Sequence, residues 1–295
     1  MATRLDVITA VPTPFTASGE LDLTAAVRLF RLVTATTGNM FVAGTTGEFP
    51  ALDDSERLAL FEAALGEAGP DHVIAHIGAP DARHARRLAA AAVAAGARRL
   101  AAITPYYLPA SDREIMAYYR EVAKATAGTQ LYAYLFPERT GVEVTPRQLA
   151  SLAAECGLAG AKLSGSAGGS LREYAAAMPA GFQLYTGRDD EVPPAAELGI
   201  AGVVSGLSSA FPELYVRLAS ALAAGWDAEA ARYQDAVKRI FAAGRTIAHL
   251  KYVLSLRGVI GRTGRMTTGM VDDESAAAVA ALVAELVPAE QPQVS

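Results

Sequence analysis

Lysine is scarce in this chain. Of 26 basic residues, 22 are arginine and four are lysine: Lys124, Lys162, Lys238 and Lys251. Arginine therefore carries the surface positive charge, and each lysine needs its own explanation. Cysteine is scarcer. Cys156 stands alone, so no intrachain disulfide can form. It precedes Gly157 at an expected helix end. With no histidine near it in the chain, it reads as a buried, inert thiol rather than a nucleophile. Histidine is limited to His72, His76, His84 and His249. His72 and His76 share a strand face but stand at its two ends, so a shared metal site is not expected. Long apolar runs are missing as well: none reaches the roughly 18 to 20 residues of a membrane-spanning helix. The opening MATRLDVITAVPTPF has neither the apolar stretch nor the small-residue cleavage site of a signal peptide. A soluble, cytoplasmic protein is expected. No basic block stands out and the net charge is −5, which argues against nucleic acid as a partner.

What the sequence does contain is apolar and regular. It has 295 residues, 52% of them hydrophobic, enough for one large barrel or two ordinary domains. Eight short runs recur: VITAV (7–11), MFVA (40–43), VIAHI (73–77), LAAI (100–103), LYAYLF (131–136), LAGAKL (158–163), QLYT (183–186) and GVVS (202–205). Helical patterns lie between them. Some carry start signals, such as Asp53 or Asp54 before Glu56, and Thr145-Pro146. Near-continuous apolar strands alternating with helices imply a parallel sheet covered by helices. Eight such units predict an α/β fold of the (β/α)8 TIM-barrel type, with a doubly wound sheet as the alternative. From about residue 211 to 288 the pattern turns helical only. The expected division is a barrel over 1–210 and a C-terminal helical extension over 211–295, ending in a loose tail, PAEQPQVS.

Barrel chemistry sits at the C-terminal ends of the strands. Strand 2 leads into GTTGEFP, strand 4 into TPYYLP, strand 5 into PERTG, strand 7 into TGRDDE and strand 8 into SGLSSAFP; strand 6 ends at Lys162. Lys124, Lys238 and Lys251 lie in helical patterns, where a solvated face or a snorkelling stem explains a lysine. Lys162 alone ends a strand. An amine desolvated in an apolar pocket is partly neutral and can attack a carbonyl. A snorkelling strand-end lysine is the plainer alternative. The glycines of GTTGE allow a tight turn whose N–H groups face the mouth, and Thr45 and Thr46 add hydroxyls. Such a turn can hold a small carboxylate; it can equally be an ordinary β–α turn with a helix-capping threonine. Tyr132 and Tyr134 share a strand face, and Tyr134 is nearer the mouth, where it can move a proton. Arg139 can pair with a substrate carboxylate or stand in solvent as a loop residue.

Four motifs in order, GTTGE, TPYY, Y-x-x-P-x-R-T-G and G-x-K, resemble the dihydrodipicolinate synthase / N-acetylneuraminate lyase family from about residue 5 to 210. The helical tail suits the family too. The resemblance implies a class I, pyruvate-handling lyase or aldolase that needs no metal or organic cofactor. Lys162 would form the Schiff base with pyruvate, and Tyr134 would donate and accept the proton. Thr46 would link Tyr134 to Tyr107, and Tyr107 would come from a neighbouring subunit of a homotetramer built as a dimer of dimers. Thr45, Thr46, Gly47, Arg139 and Val204 would contact substrate, with Arg139 meeting the carboxylate of an aldehyde.

The chain departs from the family pattern around this machinery. Synthases read Y-N-x-P at strand 5, where this chain has Tyr134-Leu135-Phe136-Pro137. They follow the lysine with Glu-Ala-(Ser/Thr)-Gly, where this chain has Leu163-Ser164-Gly165-Ser166. Glu138 stands where a small residue is common. Leu135 and Leu163 are expected to make the outer pocket more apolar. The first expectation is 4-hydroxy-tetrahydrodipicolinate synthase chemistry, condensing pyruvate with aspartate semialdehyde. The alternative is an aldolase or dehydratase for 2-keto-3-deoxy sugar acids or another 2-keto acid. A metal-dependent aldolase, or a noncatalytic barrel that binds a keto acid, are readings of other classes; an inert Lys162 would reveal the latter.

Overall fold

A computed structural model describes residues 5–287 of the chain, so the tail PAEQPQVS lies outside the described residues. Eight parallel strands close on themselves: β1 (Asp6–Ala10), β2 (Asn39–Val42), β3 (Val73–His76), β4 (Arg99–Ile103), β5 (Gln130–Leu135), β6 (Gly160–Leu163), β7 (Gln183–Thr186) and β8 (Gly202–Ser205), with β8 pairing back to β1. The expected barrel, rather than the doubly wound sheet, is what forms.

The helices begin where the sequence signals them. Asp53 caps Asp54–Ala68 in a capping box with Glu56, and Thr145 caps Pro146–Cys156 in one with Gln148. Each box satisfies two N–H groups that the first turn leaves orphaned. Gly157 ends the second helix in the left-handed conformation, which costs glycine no Cβ clash.

Side chains alternate across each strand, so the barrel has two cores. Ile8, Phe41, Ile74, Ile103, Tyr132, Tyr134, Tyr185 and Val204 fill the inside. Val42, Ala133, Leu135, Leu163 and Val203 face outward into the layer beneath the helices. Leu135 and Leu163 therefore do not reach the pocket, contrary to the expectation that they line it. The physical reason is phase: each stands one residue from an inward group, Tyr134 or Lys162, on a strand of period two.

After β8, helix Pro212–Ala224 packs on β1. Helices Asp227–Ala243, Ile247–Leu256 and Asp273–Leu286 follow. Two features differ from the helix-only expectation. The run from 227 to 258 breaks at Gly244, and Thr246 caps a new helix by accepting the His249 N–H. The stretch between Leu256 and Asp273 has no helix at all. Gly258 and Gly269 there take positive φ, at 70° and 97°, and glycine is the residue that tolerates this.

Candidate active site

Lys162 is the last inward-facing residue of β6. Its neighbours in register are Tyr134 on β5 and Tyr185 on β7. Only 7% of it is exposed. Its Nζ lies 4.4 Å from the centre of the Tyr134 ring and 4.9 Å from that of Phe41. Among the described residues no carboxylate pairs with it. Aromatic faces attract a cation only weakly compared with a counter-ion.

The turn after β2 brings the threonines to this amine. Thr45 Oγ1 lies 3.1 Å from Tyr134 Oη. Thr46 points elsewhere: a Cβ added at Gly206, after β8, would lie 3.3 Å from its Oγ1. The hydroxyl that engages Tyr134 is thus that of Thr45, which corrects the expectation for Thr46. Adjacent residues of a tight turn diverge, so only one of the pair can reach the phenol. Both threonines line the same cavity. Gly47 does not line it. Its role is steric: a Cβ there would lie 3.1 Å from Ala43 Cα and 3.2 Å from Val11 O. Ala43 and Glu48, at the two ends of the turn, take φ of 52° and 56°. Each such non-glycine conformation costs about 1 to 3 kcal/mol, so surrounding contacts must hold the turn.

The cavity has a volume of about 790 Å³, and Lys162, Tyr134, Thr45, Thr46 and Val204 are among the residues that line it. Arg139 lines its outer part, exposed, with its guanidinium 5.6 Å from the Phe136 ring centre. Glu138 also lines it, and its carboxylate accepts the Ser166 N–H at 2.7 Å. That contact closes the turn after Lys162: a side chain at Gly165 would run into Glu138. Thr267, Thr268 and Gly269, from the non-helical stretch, line it as well.

Tyr107 is not brought to this cavity. It is 91% exposed, with φ of 84°. Tyr132 lies deeper in the barrel, where its hydroxyl donates to Gln183 Oε1 at 2.7 Å, so it fills core. Cys156 is half-buried against Met116 Sδ at 3.9 Å, and burial pushes its thiol up, which disfavours the thiolate.

Sequence reading missed three groups. Asp189, within TGRDDE, is buried beside the cavity; it accepts the Tyr215 O–H at 2.5 Å, and burial pushes its carboxyl up to about 6. Arg188 lines the cavity and is held by Asp190 at 3.0 Å and Glu191 at 2.9 Å. His76 lies inside the barrel among Phe41, Phe49 and Tyr134. Burial, aided by the Arg57 charge, holds it well below the usual histidine range, so it is neutral and its Nδ1–H donates to Ala43 O at 2.9 Å. Asp189 and Arg188 stand in TGRDDE, the polar segment after the seventh strand, and that position was the signal that could have found them. The apolar run VIAHI implies burial for His76, but nothing in it says whether the ring faces the barrel interior or the helices.

An open-mouthed (β/α)8 barrel with its polar groups gathered at the C-terminal rim is an enzyme scaffold. A family model described as the dihydrodipicolinate synthetase family matches residues 4–286. The chain is 34% identical over 285 residues to 4-hydroxy-tetrahydrodipicolinate synthase 1 of Streptomyces coelicolor, covering 94% of this chain and 92% of that one. It is 34% identical over 285 residues to an uncharacterized DapA-like lyase of Halobacterium salinarum, covering 95% and 93%. Among solved structures, YagE of E. coli, a prophage protein of the dihydrodipicolinic acid synthase family in complex with pyruvate, superposes with a TM-score of 0.87. Identity there is 27%, over 96% of this chain and 98% of that one. The chain belongs to the dihydrodipicolinate synthetase family, and it is a lyase of that family.

Proposed function

We propose that the protein is a class I lyase that binds pyruvate as a Schiff base on Lys162. One observation carries the reading: the Lys162 amine is buried against two aromatic rings, without a counter-ion, beside a phenol tied to Thr45. The pyruvate carboxylate sits in the turn of Thr45 and Thr46. Lys162 Nζ attacks the keto carbon, and the carbinolamine loses water to form the imine. Tyr134 supplies the proton that the departing oxygen takes, and then accepts one from the methyl carbon as the enamine forms. Thr45 passes that proton on. Tyr107, exposed at the rim, completes the relay in a partner subunit of an oligomer. The enamine carbon then attacks an aldehyde, forming one C–C bond; hydrolysis returns the free amine.

The second substrate in this reading is aspartate semialdehyde; with it, the substrate's own amine takes the place of water, displaces Lys162 from the imine and closes the ring of 4-hydroxy-tetrahydrodipicolinate, with one water lost overall. The Streptomyces coelicolor relative carries that name, and Arg139 in the cavity wall suits an acidic aldehyde. A second reading, an aldolase for 2-keto-3-deoxy sugar acids, is favoured by the hydroxyl-rich outer wall of Ser164, Thr246, Thr267 and Thr268.

Incubation with pyruvate, borohydride reduction and peptide mass mapping tests the mechanism. The expected adduct is on Lys162. No adduct, or one on Lys124, Lys238 or Lys251, would sink it. Turnover with aspartate semialdehyde, compared with glyceraldehyde, then separates the two readings.

A further inference from the structure

From the sequence, Lys251 is expected on a helix, with a solvated or snorkelling amine. The structure places it in the interior instead, fully buried against an equally buried Glu48. Lys251 Nζ donates to Glu48 Oε1 at 2.5 Å and to Thr263 O at 2.6 Å, and it lies 4.6 Å from the centre of the Phe15 ring. Glu48 Oε2 accepts two backbone N–H groups, from Arg265 and Met266, each at 2.8 Å. One carboxylate thus joins three pieces of chain: the turn after β2, the helix Ile247–Leu256, and the non-helical stretch that follows it. Arg265 adds a second tie, a two-pronged bond to Glu56 at 2.7 and 2.6 Å, just past the same turn.

The connection joins two segments of the cavity lining. Two residues before Glu48 is Thr46; the residues after Met266 are Thr267, Thr268 and Gly269; all four line the cavity. Glu48 itself is in the left-handed region, so the turn is not in its own lowest-energy shape. A buried ion pair adds little stability over an apolar pair of the same size, because desolvation offsets the attraction. What such a pair supplies is a direction: two charges and four hydrogen bonds are satisfied in one arrangement only.

We infer that Glu48 and Lys251 are positioning residues, which set the Thr45–Thr46 turn and the Thr267–Gly269 segment of the cavity lining in register with one another. Neither touches substrate. They act through Thr45, whose hydroxyl meets Tyr134, and through that segment. The inference rests on the reading of that turn as the seat of the pyruvate carboxylate.

The test uses Glu48→Gln, Lys251→Met and the double variant Glu48→Gln/Lys251→Met in the full chain. Two readouts are taken: half-saturation by pyruvate and maximal rate of trapping on Lys162, and amide hydrogen exchange over residues 44–48 and 263–269. The single variants each leave a charge buried alone; the double variant does not, and it keeps the fold measurable. In the double variant, half-saturation is expected to rise about 10- to 100-fold while the maximal trapping rate changes less than about threefold. Exchange is expected to quicken in both segments together, with β5 and β6 still protected. If the double variant recovers wild-type half-saturation and protection, the pair serves stability only and the inference is overturned. It is overturned equally if 263–269 loosens while 44–48 stays protected. If the wild type traps no pyruvate but the two segments loosen together, the pyruvate reading fails and the positioning role stands on exchange alone.

Discussion

Lys162 at the end of β6 is 7% exposed, and Lys251 in the helix Ile247–Leu256 is not exposed at all, yet only one of them has a carboxylate against it. Around Lys162 the neighbours are the rings of Phe41 and Tyr134. Around Lys251 they are Glu48, a backbone carbonyl and Phe15. At Lys251 burial disfavours the cation and lowers the amine from its ordinary range, the bond to Glu48 opposes that penalty, and the amine is held in place by Glu48 and the Thr263 carbonyl. At Lys162, among the described residues, no ion pair engages the amine, and the proposed reading makes it the group that attacks the carbonyl. The difference teaches that burial alone does not separate the two lysines; the presence or absence of a carboxylate partner does.

Replacing each lysine by methionine is the most direct way to break this comparison. Lys162→Met is expected to abolish pyruvate trapping and to lower turnover by more than about 10³-fold, while urea unfolding shows stability unchanged or raised. Lys251→Met is expected to cost about 3 to 5 kcal/mol in the same unfolding measurement, because Glu48 is left charged in the interior. Similar losses of stability in the two variants would mean that Lys162 has a partner of its own.

Asp189 sharpens the comparison from the acidic side. Burial raises its carboxyl from 3.8 to about 6, against the opposing pull of the Ser205 and Tyr215 hydrogen bonds and the Lys162 charge. The folded state therefore holds this proton more tightly than the unfolded chain. Its contribution to stability is intact below about pH 4 and is lost as pH rises through about 6. Asp189→Asn cannot ionise, so its stability relative to the wild type should improve by on the order of 2 to 3 kcal/mol between pH 4 and 7. A difference between the two proteins that is flat across that range, in thermal melts, would show that Asp189 titrates normally.

The two threonines make a smaller comparison. Thr45→Val, which removes the hydroxyl beside Tyr134, is expected to lower turnover about 10- to 100-fold, and Thr46→Val to raise pyruvate half-saturation with less effect on turnover. The reverse pattern would restore Thr46 to the relay. Least in size, Arg139→Ala is expected to weaken use of acidic aldehydes about tenfold and of neutral ones little. Equal losses for both would remove Arg139 from the site.

Much of this was legible in the residues. Eight apolar runs separated by capped helical patterns define the barrel, because strand and helix periodicities are local properties of the chain. Lys162 could be singled out because lysine is rare here and because GTTGE, TPYY and the R-T-G turn occur in order before it. The outward direction of Leu135 and Leu163 was legible too, from their phase against Tyr134 and Lys162, although the expectation of an apolar outer pocket ran against it. The break between Leu256 and Asp273 was signalled by the glycines of RGVIGRTGRMTTG.

Other features had no local signal. Periodicity says which face of a helix is apolar, but not what a polar residue on that helix will meet; Glu48 stands 203 residues before Lys251. Which of two adjacent threonines reaches Tyr134 depends on how the turn is held, and the turn's last residue is bonded by groups 203 to 218 residues later in the chain. The chain's order of residues thus determined the strands, the helices and the amine at the mouth, since each follows from near neighbours. Only the closed tertiary structure decided which lysine keeps a counter-ion, which hydroxyl meets the phenol, and which late stretch of chain becomes the cavity wall, because those contacts join segments that sequence alone keeps apart.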